Sequence, residues 1–213
     1  MDVCAACGDS KWTEGDNGLI RCPTCAPDPV EGLLEASHIP GRFVQCRVAT
    51  FQTPTPQLAA ARESVVKFIS RYEPGDGILL HGPSGVGKSH ICCATLRHLI
   101  SKRVEPGLFV DYRQMFTTIS NTYDSDEREA EVIAPFLDAP ILLLDDLGAR
   151  RPTDWLLDTL GVILGHRYNN ELSTICTTNL SGDQLARAIG QRMFSRLHQM
   201  CEFVPVEGRD WRL

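Results

Sequence analysis

Residues Gly82-Pro83-Ser84-Gly85-Val86-Gly87-Lys88-Ser89 constrain this chain more than any other stretch. A short apolar run, Ile78-Leu79-Leu80, leads into them, and a helix-like stretch, Ile91 to Ile100, follows. A G-x-x-x-x-G-K-[ST] segment between a strand and a helix is a phosphate-binding loop; without those flanks it would be a chance match in a glycine-rich turn. The glycines let backbone N–H groups close around a polyanion, and the positive end of the following helix points to the same place. This arrangement predicts that Lys88 reaches the β- and γ-phosphates of ATP and that the Ser89 hydroxyl ligates Mg²⁺. The candidate ATP- or ADP-contacting stretch runs on from Ser89 to His90.

The 213 residues suit one medium domain with a small appendage. Hydrophobic content of 43% and charged content of 23% are ordinary for a globular chain. No apolar stretch is long enough for a membrane span and no signal-peptide pattern opens the chain, so a cytoplasmic location without membrane partners is expected. The net charge of −6 excludes a global basic footprint for nucleic acid, so any DNA contact must come from a local patch.

Cysteine placement divides the chain. Cys4-Ala5-Ala6-Cys7 and Cys22-Pro23-Thr24-Cys25 form two C-x-x-C pairs, which predict a closed four-thiolate Zn²⁺ site in a ribbon over residues 1–27. So short a segment cannot bury a core that offsets its own chain entropy, so metal binding must supply folding energy. The competing reading, a redox dithiol, belongs at the start of a helix in a thioredoxin-like unit rather than in a paired ribbon. Trp12 and Lys11 are candidate exposed contacts, with Trp12 equally suited to covering the ribbon itself. Cys46, Cys92, Cys93, Cys176 and Cys201 read as core thiols of a reducing compartment.

Residues 28–56 are rich in proline and read as a linker and irregular lead-in to a core at 57–213. In that core, helical periodicity over Gln57–Tyr72, Lys88–Ser101, Arg113–Thr122, Asp126–Leu137 and Asp154–Asn169 alternates with apolar strands. Strands are expected at Ile78–Leu80, Gly107–Asp111, Pro140–Asp146, Ser173–Asn179 and Cys201–Val206, and two short helices at Gly182–Ile189 and Gln191–Met200. Pro135 is expected to end its helix early. Near-continuous apolar strands between helices predict an α/β fold with a parallel five-stranded sheet covered on both faces.

Ligands of such sheets sit beyond the carboxyl ends of the strands. Leu142-Leu143-Leu144-Asp145-Asp146 ends a buried strand there, which makes Asp145 a candidate Mg²⁺ ligand and Asp146 a candidate to orient or deprotonate an attacking water. Asn179, at another strand end, is a candidate to position that water; its alternative role is as a turn former.

These motifs resemble the AAA+ family, and within it the DnaC/IstB group of helicase loaders and transposition ATPases. The matching residues are Ile39-Pro40-Gly41-Arg42-Phe43, the phosphate loop, Leu142 to Gly148, Thr153-Asp154-Trp155, Arg167-Tyr168, Thr177-Thr178-Asn179-Leu180 and Gln191-Arg192-Met193-Phe194-Ser195-Arg196-Leu197. The resemblance implies a P-loop NTPase core without a C-terminal helical lid. It implies that Arg196 is an arginine finger supplied to a neighbouring subunit, with Arg192 one helical turn earlier as a possible assistant. Arg167 is left between the nucleotide, another subunit and solvent. Most AAA+ proteins have Glu where this chain has Asp146, which is one methylene shorter, so slow and assembly-dependent ATP hydrolysis is expected. With no lid, enclosure of the nucleotide is expected from the adjacent subunit.

The resemblance implies an ATP-dependent loader of a replicative DNA helicase that self-associates through its core and engages single-stranded DNA. The alternatives are a transposition helper ATPase acting on duplex DNA and a regulatory module that binds nucleotide without turnover. Arg113, Arg150 and Arg151 are candidate DNA contacts, and Phe43 and Phe51 candidate adenine contacts.

Overall fold

The computed structural model describes residues 3–15, 18–26, 28–121, 129–149 and 153–212. At the N-terminus, β1 (Trp12–Gly15) pairs antiparallel with β2 (Gly18–Arg21). The main sheet holds β3 (Gly77–His81), β4 (Gly107–Asp111), β5 (Ile141–Asp145), β6 (Ser173–Thr178) and β7 (Cys201–Pro205). All its pairings are parallel, in the order β4-β5-β6-β3-β7.

Parallel strands need crossover connections, and the helices that make them cover both faces. These are α2 (Pro56–Arg71), α3 (Lys88–Arg103), α4 (Tyr112–Asn121), α5 (Glu129–Asp138), α6 (Asp154–Asn169), α7 (Gly182–Ile189) and α8 (Gln191–Met200). Strand alternation divides the core in two. Ile78, Leu80, Ile141, Leu143 and Ile175 face α2 and α3, while Leu79, Leu142, Leu144 and Cys176 face the layer of α4, α6 and α8. All five thiols outside the N-terminal pairs are buried, as expected.

Three local expectations are corrected. The proline-rich lead-in is not irregular throughout: it contains α1 (Pro29–Ala36). Pro29 occupies the first turn, where a missing N–H costs nothing, and the Asp28 side chain caps the helix by accepting from Val30 N at 2.9 Å. Leu33 and Leu34 pack on the α2–α3 core, and Phe109 N donates to Ser37 O at 2.7 Å, so the segment is docked on the sheet edge. Pro135 does not stop α5, which continues to Asp138 and buries Phe136. Arg167 faces neither solvent nor nucleotide. It is 0% exposed and donates to Phe136 O, Leu137 O, Ala139 O, Ser173 O and Thr174 Oγ1. It therefore ties α6 to the end of α5 and the start of β6. Among the described residues no helix follows β7, and none is long and apolar enough to cross a membrane.

Candidate nucleotide site and cysteine cluster

The phosphate loop turns out of β3 through Gly82, Gly85 and Gly87, all at positive φ (146°, 79° and 102°), which glycine adopts without steric cost. Gly87 also admits Phe51, whose Cε2 would lie 2.8 Å from a Cβ there. Side chains of Thr55, Thr153 and Ser181 cap α2, α6 and α7, but no side chain caps α3. Its first backbone N–H groups are thus left for an anion, at the positive end of the helix dipole.

Lys88 is 6% exposed, and its Nζ donates to Gly82 O (2.8 Å), Pro83 O (2.6 Å) and Asn179 Oδ1 (2.7 Å). Burial pulls its pKa down, against the opposing pull of Asp146 and Asp145. Asn179 in turn donates from Nδ2 to Asp146 Oδ1 at 2.5 Å, and Arg113 Nη2 lies 3.8 Å from Asp146 Oδ2. Asp146 adopts φ of +60°, which breaks the strand; its N–H donates to Thr177 Oγ1 at 2.8 Å. Asp tolerates this left-handed turn better than most residues.

The other half of the site is centred on Asp145, only 9% exposed. Its Oδ1 accepts from Ser89 Oγ (2.9 Å) and Thr177 Oγ1 (2.6 Å). Burial pushes its pKa up, and the two hydroxyls only partly oppose this. A hydroxyl and a carboxylate at the loop–strand junction form a donor set suited to a hard cation such as Mg²⁺. The structure therefore brings together the phosphate loop, Lys88, Ser89, Asp145, Asp146 and Asn179 around a cavity of about 690 Å³. Phe43 and Phe51 line it too, at the α3 side.

Arg192 and Arg196 are not among the residues lining this cavity. Arg192 is exposed on α8. Arg196 lies against α6, its Cζ 5.6 Å from the Tyr168 ring centroid and its guanidinium over Gly165, where a Cβ would sit 2.6 Å from Arg196 Nη1. Arg113, a candidate DNA contact, lines the cavity beside Asp146. Arg150 and Arg151 lie outside the described residues. Among the lining residues without a local sequence signal are Trp211 and Arg212. They follow β7 and reach the loop only through the tertiary fold.

At the N-terminus the sulfur atoms of Cys4, Cys7, Cys22 and Cys25 all lie within 4.8 Å of one another. Tetrahedral Zn–S bonds of about 2.3 Å put sulfurs roughly 3.8 Å apart, so the set has the size of a zinc site. Both C-x-x-C turns close alike, with Gly8 N donating to Cys4 O at 2.8 Å and Ala26 N to Cys22 O at 2.9 Å. Clustered thiols titrate together: the backbone N–H of Cys25 pulls the Cys22 thiol down, while the hydrogen bond with Cys7 pushes the Cys25 thiol up.

An Asp145→Asn substitution is expected to separate folding from cation binding. The amide keeps an oxygen for Ser89 and Thr177 and removes a charge that burial disfavours. An ionised carboxylate whose folded pKa is raised costs stability above that pKa, and the cost fades as pH falls through it. At neutral pH the nucleotide-free variant should thus melt no lower than wild type. Thermal unfolding should show the stabilisation by ATP and Mg²⁺ in wild type and its loss in the variant.

Comparison with known proteins agrees with this fold. The chain is 27% identical over 228 residues to the phage-like element PBSX protein XkdC of Bacillus subtilis (strain 168), covering 99% of this chain and 84% of XkdC. It is 31% identical over 144 residues to the replicative helicase loader DnaI of the same organism, covering 64% of this chain but only 46% of DnaI. The crystal structure of the DnaC helicase loader superposes with a TM-score of 0.73 at 28% identity, covering 79% of this chain and 100% of that one. The family model described as "IstB-like ATP binding protein" matches residues 49–213. With an AAA+ P-loop fold and that match over most of its length, the chain belongs to the IstB-like ATP-binding family, alongside the DnaC and DnaI helicase loaders.

Proposed function

We propose that this protein is an ATP-dependent loader of a replicative DNA helicase, hydrolysing ATP slowly at subunit interfaces and engaging single-stranded DNA. The observation that carries the reading is the convergence of the residue types that ATP hydrolysis needs, with the two candidate finger arginines elsewhere. Lys88, Ser89, Asp145, Asp146 and Asn179 converge at the sheet tips, while Arg192 and Arg196 lie off the cavity. Similarity to proteins named as helicase loaders supports the choice of process.

In this reading Lys88 leaves the loop carbonyls and Asn179 to grip the β- and γ-phosphates, held there by the Gly82–His90 backbone. Ser89 and Asp145 hold Mg²⁺, which when bound neutralises charge on those phosphates. Asp146, freed from Asn179 and Arg113, orients the attacking water, and Asn179 fixes its position. Arg196 of a neighbouring copy stabilises charge on the transferring phosphoryl group, assisted by Arg192. The four N-terminal cysteines hold Zn²⁺, and the ribbon of residues 1–27 docks the helicase. The lead-in at 28–56 joins it to the core at 57–213. Reduced thiols throughout suit a cytoplasmic protein.

Subunit mixing tests the shared site. Lys88→Met and Arg196→Ala chains should each be nearly inactive alone. Mixed, they should regain ATP turnover at interfaces that pair an intact loop with an intact finger. A mixture as inactive as its parts, or an Arg196→Ala chain as active as wild type, would count against the reading. Metal content gives a second check. A strong chelator should release about one zinc per chain from the four thiolates. It should also abolish order in the ribbon while the thermal transition of the core persists.

A further inference from the structure

A second concavity, of about 700 Å³, lies between α2 and α3 and shares no lining residue with the nucleotide cavity. α2 buries Leu58, Ala61, Val65 and Phe68 in the core, so the neighbouring stripe of Arg62, Val66 and Ile69 turns to the flank of the helix. Ala94, Arg97 and Ser101, spaced by three and four residues, make the matching flank of α3. A 3-10 turn at Val48–Thr50 forms the third wall. Val48 and Ala49 line the groove, while Thr50 lines the nucleotide cavity. The first turn of α3 thus serves phosphate, and its later turns serve the groove.

Its floor is aliphatic, made by Val48, Val66, Ile69 and Ala94. Val66 is 45% exposed, although Val65 beside it is fully buried. Around the floor stand Arg47, Arg62, Arg97 and Lys102, and among the described residues no carboxylate lines the groove. The chain as a whole is acidic, with 27 Asp and Glu against 21 Lys and Arg, so four unbalanced cations at one place stand out. Arg47 Nη1 donates to Cys46 O at 2.9 Å and Arg62 Nε to Val48 O at 3.0 Å, neutral acceptors that leave the charge in place. None of the four joins an ion pair among the described residues. Burial pulls the Arg97 pKa down and the charge of Arg47 pulls it down further, as expected of two guanidiniums with no anion between them.

We propose that this groove docks an acidic amphipathic helix of a partner protein, with its aliphatic face on Val48, Val66 and Ile69 and its carboxylates on Arg47, Arg62, Arg97 and Lys102. The occupant has to answer both features at once. Nucleic acid would answer the cations, but no Phe, Tyr or Trp lines the groove for bases to stack on, and the aliphatic floor would stay wet. A wholly apolar segment would cover the floor and strip water from charges without pairing them. An acidic helix lays its apolar stripe in the furrow while the charges on its flanks select it and set its register. The site is separate from the ATP cavity and from the N-terminal ribbon, so it stands whether or not either of them does what is proposed above.

Fluorescence anisotropy on the zinc-loaded full chain tests this. The probe is a labelled peptide of roughly 16 residues, long enough to form a helix, with leucines along one face and glutamates on either side. The controls are the same peptide with lysine for glutamate, the same peptide with serine for leucine, and a labelled single-stranded oligonucleotide. The glutamate–leucine peptide should bind, more weakly as salt rises, and both altered peptides should lose at least tenfold. Burying one aliphatic side chain, like one charge-assisted contact, corresponds to about tenfold in affinity or more. Val66→Asp and Arg97→Glu should therefore each weaken the peptide about tenfold or more, and Arg97→Lys should lose less. Neither variant touches the nucleotide cavity, so both should keep the wild-type melting curve and its response to ATP, which removes misfolding as an explanation. No uptake of the glutamate–leucine peptide, or equal uptake by wild type and both variants, would overturn the proposal. So would an oligonucleotide that binds the wild type and is lost in the same variants while the peptide is not, which would make the groove a nucleic-acid surface. A fall in the mass of the peptide-free protein on Val66→Asp, read by light scattering, would overturn it too, because the occupant would then be a second copy of this chain.

Discussion

Lys88→Met is expected to abolish ATP turnover while the nucleotide-free chain keeps its fold. Removing one preorganised charge-stabilising donor typically costs about 10²–10³ in rate. In the proposed mechanism Lys88 is such a donor; it is 6% exposed at the start of α3 and bonded to Gly82, Pro83 and Asn179. Stability should respond differently. Burial depresses the Lys88 pKa in the folded state, so the charged form costs stability below that pKa and the cost fades as pH rises through it. Methionine removes the cost and keeps the aliphatic stem, but leaves three acceptors that the open cavity can hydrate. The two effects oppose each other, and the melting temperature should move by only a few degrees. Steady-state ATP turnover beside thermal unfolding checks both halves. A Met variant that hydrolyses ATP at the wild-type rate would remove Lys88 from the mechanism.

Arg167→Ala should show the converse, a large loss of stability from a residue that touches no ligand. Its guanidinium is fully buried and donates to four carbonyls and the Thr174 hydroxyl. Burial lowers its pKa to about 10, so it stays charged at neutral pH. Truncation takes the donor from five buried or partly buried acceptors and opens a cavity between α5, α6 and β6. The lost hydrogen bonds and the cavity together cost about 3–5 kcal/mol. At roughly 2–4 °C per kcal/mol for a chain of this size, the melting temperature should fall by on the order of 10 °C. Arg167→Lys should recover little, because one ammonium cannot span a planar fork's acceptors. An unchanged melting curve for the alanine variant would mean that the network contributes nothing net.

The two substitutions also show what was legible in the sequence. Lys88 was legible because phosphate binding fixes both residue type and spacing, so the motif carries its own chemistry. The strands were legible because a sheet covered on both faces demands unbroken apolar runs, as in Ile141–Leu144. Arg167 was not, since a charge at a helix end ordinarily reads as solvated, and its acceptors come from α5 and β6, about 30 residues away on one side. α1 was hidden by the density of prolines around it, although Pro29 in a first turn favours a helix. Arg113 was not legible as a cavity residue, because it is the pairing of β4 with β5, with Asp111 opposite Asp145, that brings it beside Asp146, and strand order has no local signal. Trp211 and Arg212 were missed for the same reason: only the return of the chain along β3 and the phosphate loop places them.

Helicase loading is tested most directly by a binding measurement. The full chain, carrying zinc and supplied with ATP, is mixed with its cognate replicative helicase, and the mass of each eluting species is read by light scattering after size exclusion. A stable joint species is expected from wild type, and none from Cys22→Ser, whose ribbon cannot close. Helicase and ATPase emerging separately, with zinc present and ATP bound, would contradict the loader and leave a nucleotide-driven protein with some other partner.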